Sequence, residues 1–204
     1  MSDAAAFQSC IEQGGVAVFP ADTVYGLACD PENPDAVRRL YELKGRPSDK
    51  PAAVMWFDRD AALAALPELG LRTRDAVEAL TPGGVTLLVP NPRRRYPLAA
   101  GPAGEGAALG VRIPMAPQLQ AVPLVVLQSS ANHAGGADAR TLEQVPPDIR
   151  AGADLVLDAG ALPGTPSTVI DLHRYEETGE WTILREGAVA AEEVARVLGI
   201  VGRR

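Results

Sequence analysis

The sequence predicts an α/β fold built on one large sheet, and three observations predict it. Short apolar runs of strand length recur along the chain and stop at Pro, Gly or small polar residues. Between several of them lie segments whose apolar residues return at helical spacing. With 47 % hydrophobic and 22 % charged residues the chain can fill a sizeable core, and aromatics are so few, 4 %, that Ala, Val and Leu must supply it. Strands interleaved with helices make layers of helix against sheet. The 204 residues carry no internal repeat and no clear linker, so 1–204 is expected to be one domain.

A buried strand is expected over 15–20, an apolar run closed by Pro20. A helix follows over 33–43: Pro34 suits its first turn, and Val37, Leu40, Tyr41 and Lys44 fall at helical spacing. The run 52–57 reads as the next strand, and 60–66 and 71–80 as helices. The breaker Pro82-Gly83-Gly84 precedes a strand over 85–89, and the Pro-, Gly- and Arg-rich stretch 91–106 is expected to be a mobile loop. A strand over 109–113, a short helix over 117–122 and an apolar strand over 124–128 come next. Strands over 155–157, 168–172 and 182–184 and a closing helix over 191–198 complete the reading.

Composition excludes several classes. A net charge of −7 argues against a protein that coats nucleic acid, although basic residues cluster locally at Arg38-Arg39, between Lys44 and Lys50, and at Arg93-Arg94-Arg95. Two cysteines, Cys10 and Cys29, form no metal or disulfide pattern, so a reduced, cytoplasmic setting is expected. The opening residues lack a basic segment followed by an apolar one, and no apolar run reaches about 18 residues, so neither a secretory signal nor a membrane span is expected. There is no Walker loop, no dinucleotide glycine fingerprint, no nucleophile elbow and no zinc-hydrolase helix. Chemistry on this chain must use Lys, Arg, Ser, Thr and Asn.

Three segments offer such groups. Lys44, Arg46 and Lys50 put three cations in a proline-bounded loop, which suits a polyphosphate and equally suits a solvated turn. Ser129, Ser130 and Asn132 follow a buried strand, where α/β sheets bind ligands, or form a polar turn. Ser167 and Thr168 open a strand and say little alone.

Taken in order, these segments resemble a known family. Pro20 to Leu27 (PADTVYGL), the K-x-R-P loop from Lys44, P-G-x-x-T from Pro82 to Thr86, V-R-I-P from Val111 to Pro114, S-x-N at Ser130 and Asn132, S-T-V from Ser167 and L-R-x-G from Leu184 to Gly187 are similar to the motifs of the YrdC/TsaC family of threonylcarbamoyl-AMP synthases. The resemblance runs from about Gly15 to Gly187 in the short form without a second domain.

The resemblance implies a twisted open mixed β-sheet with flanking helices around a basic concave cleft. It implies adenylyl transfer: L-threonine and bicarbonate give a carbamate, which attacks the α-phosphate of ATP and releases diphosphate. The product serves N6-threonylcarbamoyladenosine formation on tRNA through downstream threonylcarbamoyl transferase proteins, with tRNA itself a possible partner. Lys44 and Arg46 are implied as catalytic; Arg46, Lys50, Asn132, Arg140 and Arg185 as ATP-binding; Thr23, Arg112, Ser130 and Ser167 as threonine-binding. Mg²⁺ is implied as the phosphate counter-ion, held by phosphates and water and by no dedicated protein ligands. On its own residues Arg112 equally admits an internal Asp partner. Met55 stands where threonine-selective relatives often place a histidine, and a thioether supplies no comparable contact. A YciO-like paralogue and an RNA-binding module remain the alternatives.

Overall fold

The structure is a computed structural model that describes residues 2–47, 49–100 and 108–201. Helix α1 (Asp3–Glu12) starts at Ser2, whose hydroxyl accepts from the Ala5 amide. Strands β1 (Ala17–Pro20) and β2 (Tyr25–Cys29) follow, then helix α2 (Pro34–Lys44). Asn33 caps α2 by accepting from the Asp35 and Ala36 amides, and Gly45 ends it in the left-handed region at φ 56°. Strand β3 (Ala53–Trp56), helices α3 (Arg59–Ala65) and α4 (Leu71–Leu80) and strand β4 (Val85–Pro90) come next. Helix α5 (Pro97–Ala100) precedes β5 (Ala108–Arg112), and β6 (Val125–Ser130) follows a 3₁₀ turn at Pro117–Leu119. Helix α6 (Pro147–Gly152), strands β7 (Leu155–Val156) and β8 (Thr168–Asp171), helix α7 (Tyr175–Thr178), strand β9 (Thr182–Arg185) and helix α8 (Ala191–Val201) close the chain.

Among the described residues nine strands form one open sheet in the order β7-β1-β2-β6-β3-β5-β4-β8-β9. Its pairings are mixed: β1/β7, β3/β5 and β4/β8 are parallel and the other five antiparallel. Alternation along each strand divides the core into two. Val18, Tyr25, Leu27, Val54, Leu87 and Val111 lie in one cluster with Val37 and Leu40 of α2, Val77 of α4 and Leu198 of α8. Ala17, Phe19, Ala28, Met55 and Val126 lie in the other with Phe7 and Ile11 of α1. There the Phe7 ring sits 5.3 Å from Phe19 and 5.6 Å from Phe57. Among the described residues this second cluster includes none from β4, β5, β8 or β9, so that end of the second face is left to the site.

Most expected elements are present within a few residues. Besides α5, four were not read from the sequence: α1, α6, α7 and β2, the last beginning inside the PADTVYGL segment. The expected loop 91–106 is corrected over its first part, because Pro97–Ala100 form a helical turn whose Ala99 carbonyl accepts from the Ala52 amide at 2.9 Å. Residues 101–106 of that expectation lie outside the described residues.

Candidate active site

Small residues make the floor. In register across the sheet lie Ala28, Gln128, Ala53, Gly110 and Leu88, and beside this row lie Val126, Met55 and Arg112. Ala53 and Gly110 put little side chain on this part of the sheet, and above it opens a cavity of about 570 Å³. Arg46, Arg112, Arg185, Ser130, Ser167 and Asp138 are among its lining residues.

Arg112 ends β5 and is 4 % exposed. Its Nη2 pairs with Asp22 and donates to Thr23 Oγ1 at 3.2 Å. The second Asp22 oxygen accepts from the Met115 amide at 3.2 Å, tying the β1–β2 turn to the end of β5. Burial pulls the guanidinium below the ordinary arginine value; Asp22 opposes this and Arg185 adds to it. The internal acidic partner left open for Arg112 is therefore Asp22.

Arg185, on edge strand β9, donates to the Ser167 carbonyl through Nε at 3.2 Å and Nη2 at 2.9 Å, and to Ser167 Oγ at 3.2 Å. Ser167 Oγ shares a 2.8 Å hydrogen bond with Thr86 Oγ1. The glycine of the L-R-x-G segment follows from close approach: a Cβ on Gly187 would lie 2.6 Å from the Ser167 carbonyl carbon.

Arg46 leaves α2 just past Gly45, stacks its guanidinium carbon 5.9 Å from the Tyr41 ring centre and donates to the Pro51 carbonyl. Its Nε is buried without a partner among the described residues. Lys44 is 2 % exposed and lies outside the cavity lining. Its Nζ donates to the Ser130 carbonyl, to the Asn132 carbonyl at 2.7 Å and to Asn132 Oδ1 at 3.1 Å. Burial and Arg46 lower its pKa to about 8, with Asp138 opposing.

The structure thus brings Arg46, Arg112, Ser130, Ser167 and Arg185 to one cavity. Thr23, Lys44 and Asn132 stand behind it, joined by hydrogen bonds. Lys50 is exposed and outside the lining, and Arg140 is exposed with its Nε on the Leu162 carbonyl at 2.8 Å. Met55 is fully buried in the second core and does not line the cavity. Sequence reasoning missed Asp22 and Asp138; it singled out the segment that opens with Gln128 but gave Gln128, like Thr86, no role. Asp22 and Thr86 sit inside quoted motifs, which was a usable signal; Asp138 carried none. Among the described residues no group of three or more His, Cys, Asp or Glu side chains is placed to hold a metal ion. No helix there is long and apolar enough to cross a membrane.

A mixed α/β sheet with arginines gathered over one face defines a class, and comparison with known proteins gives it a family. The profile of the Sua5/YciO/YrdC family, described as "Telomere recombination", matches residues 9–187. The chain belongs to this family. It is 35 % identical over 170 residues to the threonylcarbamoyl-AMP synthase of Pseudomonas aeruginosa, covering 79 % of this chain and 88 % of that one. It is 29 % identical over 196 residues to the threonylcarbamoyl-AMP synthase of Pyrococcus abyssi, covering 93 % of this chain and 55 % of that longer one. The crystal structure of P. abyssi Sua5 complexed with L-threonine superposes with a TM-score of 0.83 at 27 % identity, over 95 % of this chain and 56 % of that one. Escherichia coli YciO shares the fold, with a TM-score of 0.74 at 24 % identity over 93 % of this chain and 91 % of that one.

Proposed function

We propose that this chain is a threonylcarbamoyl-AMP synthase, converting L-threonine, bicarbonate and ATP into threonylcarbamoyl-AMP and diphosphate. The observation that carries the reading is the convergence of Arg46, Arg112 and Arg185 on one cavity with the hydroxyls of Ser130, Ser167 and Thr86. Two anions, a carbamate and a triphosphate, must meet there, and fixed guanidiniums offset their repulsion without reorganising. Arg46 and Arg185 flank the nucleotide. Arg112, held by Asp22, presents donors to the amino acid, with Ser130 and Ser167 as further contacts. Proximity of the carbamate oxygen to the α-phosphorus supplies much of the rate.

The residues fit a Mg²⁺ ion carried in on the phosphates: among the described residues the lining holds a single carboxylate, Asp138, and phosphate oxygens and water would complete the shell of such an ion. When bound, the ion neutralises phosphate charge. The product would pass to transferase proteins that modify tRNA, in a reduced, cytoplasmic compartment consistent with two free cysteines. A single catalytic unit over 1–204 accords with the continuous sheet.

The test is diphosphate release with ATP, bicarbonate and Mg²⁺ across a panel of amino acids. Threonine-dependent release supports the synthase. Nucleotide binding without amino-acid dependence points to a YciO-like activity, and tight, salt-sensitive tRNA binding without release points to an RNA-binding module.

A further inference from the structure

The loop after β6 is anchored with unusual completeness. At its start the Ala131 amide donates to the Tyr25 carbonyl at 2.8 Å, and at its end the Tyr25 amide donates to the Ala139 carbonyl at 2.9 Å. Between these anchors Asn132 Nδ2 donates to the Gly136 carbonyl at 2.6 Å, and the Ala134 amide donates to the Lys44 carbonyl at 2.8 Å. Ser130 Oγ donates to Asn132 Oδ1 at 2.6 Å. The Lys44 ammonium sits at the centre, its three acceptors being the carbonyls of Ser130 and Asn132 and the Asn132 amide oxygen.

An ammonium has three donors, and here all three are engaged. The side chain is buried and outside the cavity lining, so a phosphate in the cavity meets Arg46 and not Lys44. Removing the ammonium leaves three oxygens converging with no proton between them, and their mutual repulsion pushes the strand end and the loop apart. What the loop carries matters: Ser130 at one end and Asp138 at the other both line the cavity.

We propose that Lys44 is a positioning residue, an internal ammonium pin that holds the Ser130–Ala139 loop in register over the cavity, and not a ligand of the triphosphate. Arg46 is then the phosphate contact of the K-x-R-P loop, and Asn132 acts as the pin's receptor. The role rests on the synthase reading for its effect on turnover, but the pin itself is a property of the ligand-free protein.

The experiment compares wild type, Lys44→Met and Arg46→Ala. In the ligand-free protein, hydrogen exchange at residues 131–139 is expected to quicken tenfold or more in Lys44→Met and to stay at the wild-type rate in Arg46→Ala. Inorganic diphosphate binding, titrated across salt concentrations, is expected to keep its salt slope in Lys44→Met and to weaken with a shallower salt slope in Arg46→Ala, because one screened cation–phosphate contact is lost there. Turnover in Lys44→Met is expected to fall tenfold or more, with KM for ATP within about threefold of wild type. Wild-type exchange together with a reduced salt slope makes Lys44 a direct phosphate ligand and overturns the proposal. Faster exchange with unchanged turnover makes it a fold strut only and overturns it too. Should Lys44→Met fail to fold, Lys44→Gln retains two donors and allows the same comparison. If wild type releases no diphosphate, the synthase reading has failed, while the exchange data still decide the pin.

Discussion

Asp22 and Arg112 form a buried ion pair behind the cavity, with side-chain exposures of 7 % and 4 %. The pair joins the turn between β1 and β2 to the end of β5 and hands the guanidinium to the cavity already oriented. Breaking one side of such a pair leaves an uncompensated buried charge. Asp22→Asn is therefore expected to cost about 3 kcal/mol in urea unfolding and to abolish threonine-dependent diphosphate release. The double change Asp22→Asn with Arg112→Met should recover most of the stability and none of the activity. Stability lost equally in single and double variants would show that the pair is not the source.

Arg185 gives the opposite pattern. It lies on an edge strand and its partners are the carbonyl and hydroxyl of Ser167, so no buried charge is stranded by its removal. Arg185→Ala should leave the melting temperature nearly unchanged and slow diphosphate release at least tenfold, on the order of 1.4 kcal/mol in transition-state stabilisation. Arg185→Lys should rescue little, because one ammonium does not reproduce the Nε and Nη2 fork on the Ser167 carbonyl. Steady-state rates beside thermal melting check both.

Much of this was legible in the sequence, and the limits have physical causes. Helix α2 announced itself through Pro34 and the helical spacing of Val37, Leu40, Tyr41 and Lys44, signals local to the segment. The cluster of Arg46, Arg112, Ser130, Ser167 and Arg185 came from motif order. Spacing alone places Lys44 and Arg46 side by side, yet α2 ends between them, so one is drawn into the interior and the other lines the cavity. Strand β2 was missed because Tyr25-Gly26-Leu27-Ala28-Cys29 holds a glycine and no β-branched residue, so local propensity does not mark it as a strand. Asp138 owes its place to backbone anchors at Tyr25, a contact more than a hundred residues distant in sequence. No local pattern encodes such a contact.

The cavity floor yields a steric prediction. A Cβ on Gly110 would lie 3.1 Å from the Ala53 Cβ, tighter than ordinary packing, and further methyls would stand above the sheet within the cavity. Gly110→Val is expected to cost about 1–3 kcal/mol through overpacking and to weaken ATP binding at least tenfold. Gly110→Ala should do less of both. Calorimetric titration with ATP reads the effect, and wild-type affinity in Gly110→Val would place the nucleotide elsewhere.

Two thiols contribute to the alkaline limit of stability, beside Tyr25, Tyr41, Tyr96 and Tyr175, whose pKa values burial also raises. Burial pushes Cys10 up to about 11, with Asp154 adding and Arg39 opposing, and pushes Cys29 up to about 12, with Asp30 adding. A raised folded pKa means that the unfolded chain releases these protons first. The stabilisation is fully present below about pH 9 and is lost as pH rises toward 11 and 12. Each thiol contributes a slope of up to about 1.4 kcal/mol per pH unit in that window. Lys44, lowered to about 8, acts with the opposite sign between there and the ordinary lysine value, so total stability alone does not isolate the thiols. The measurement is a difference: urea unfolding of wild type and of Cys10→Ala with Cys29→Ala, both retaining Lys44, from pH 8 to 10.5. The cysteine-free chain should lose stability less steeply above pH 9, and parallel curves would mean that neither thiol is held protonated by the fold.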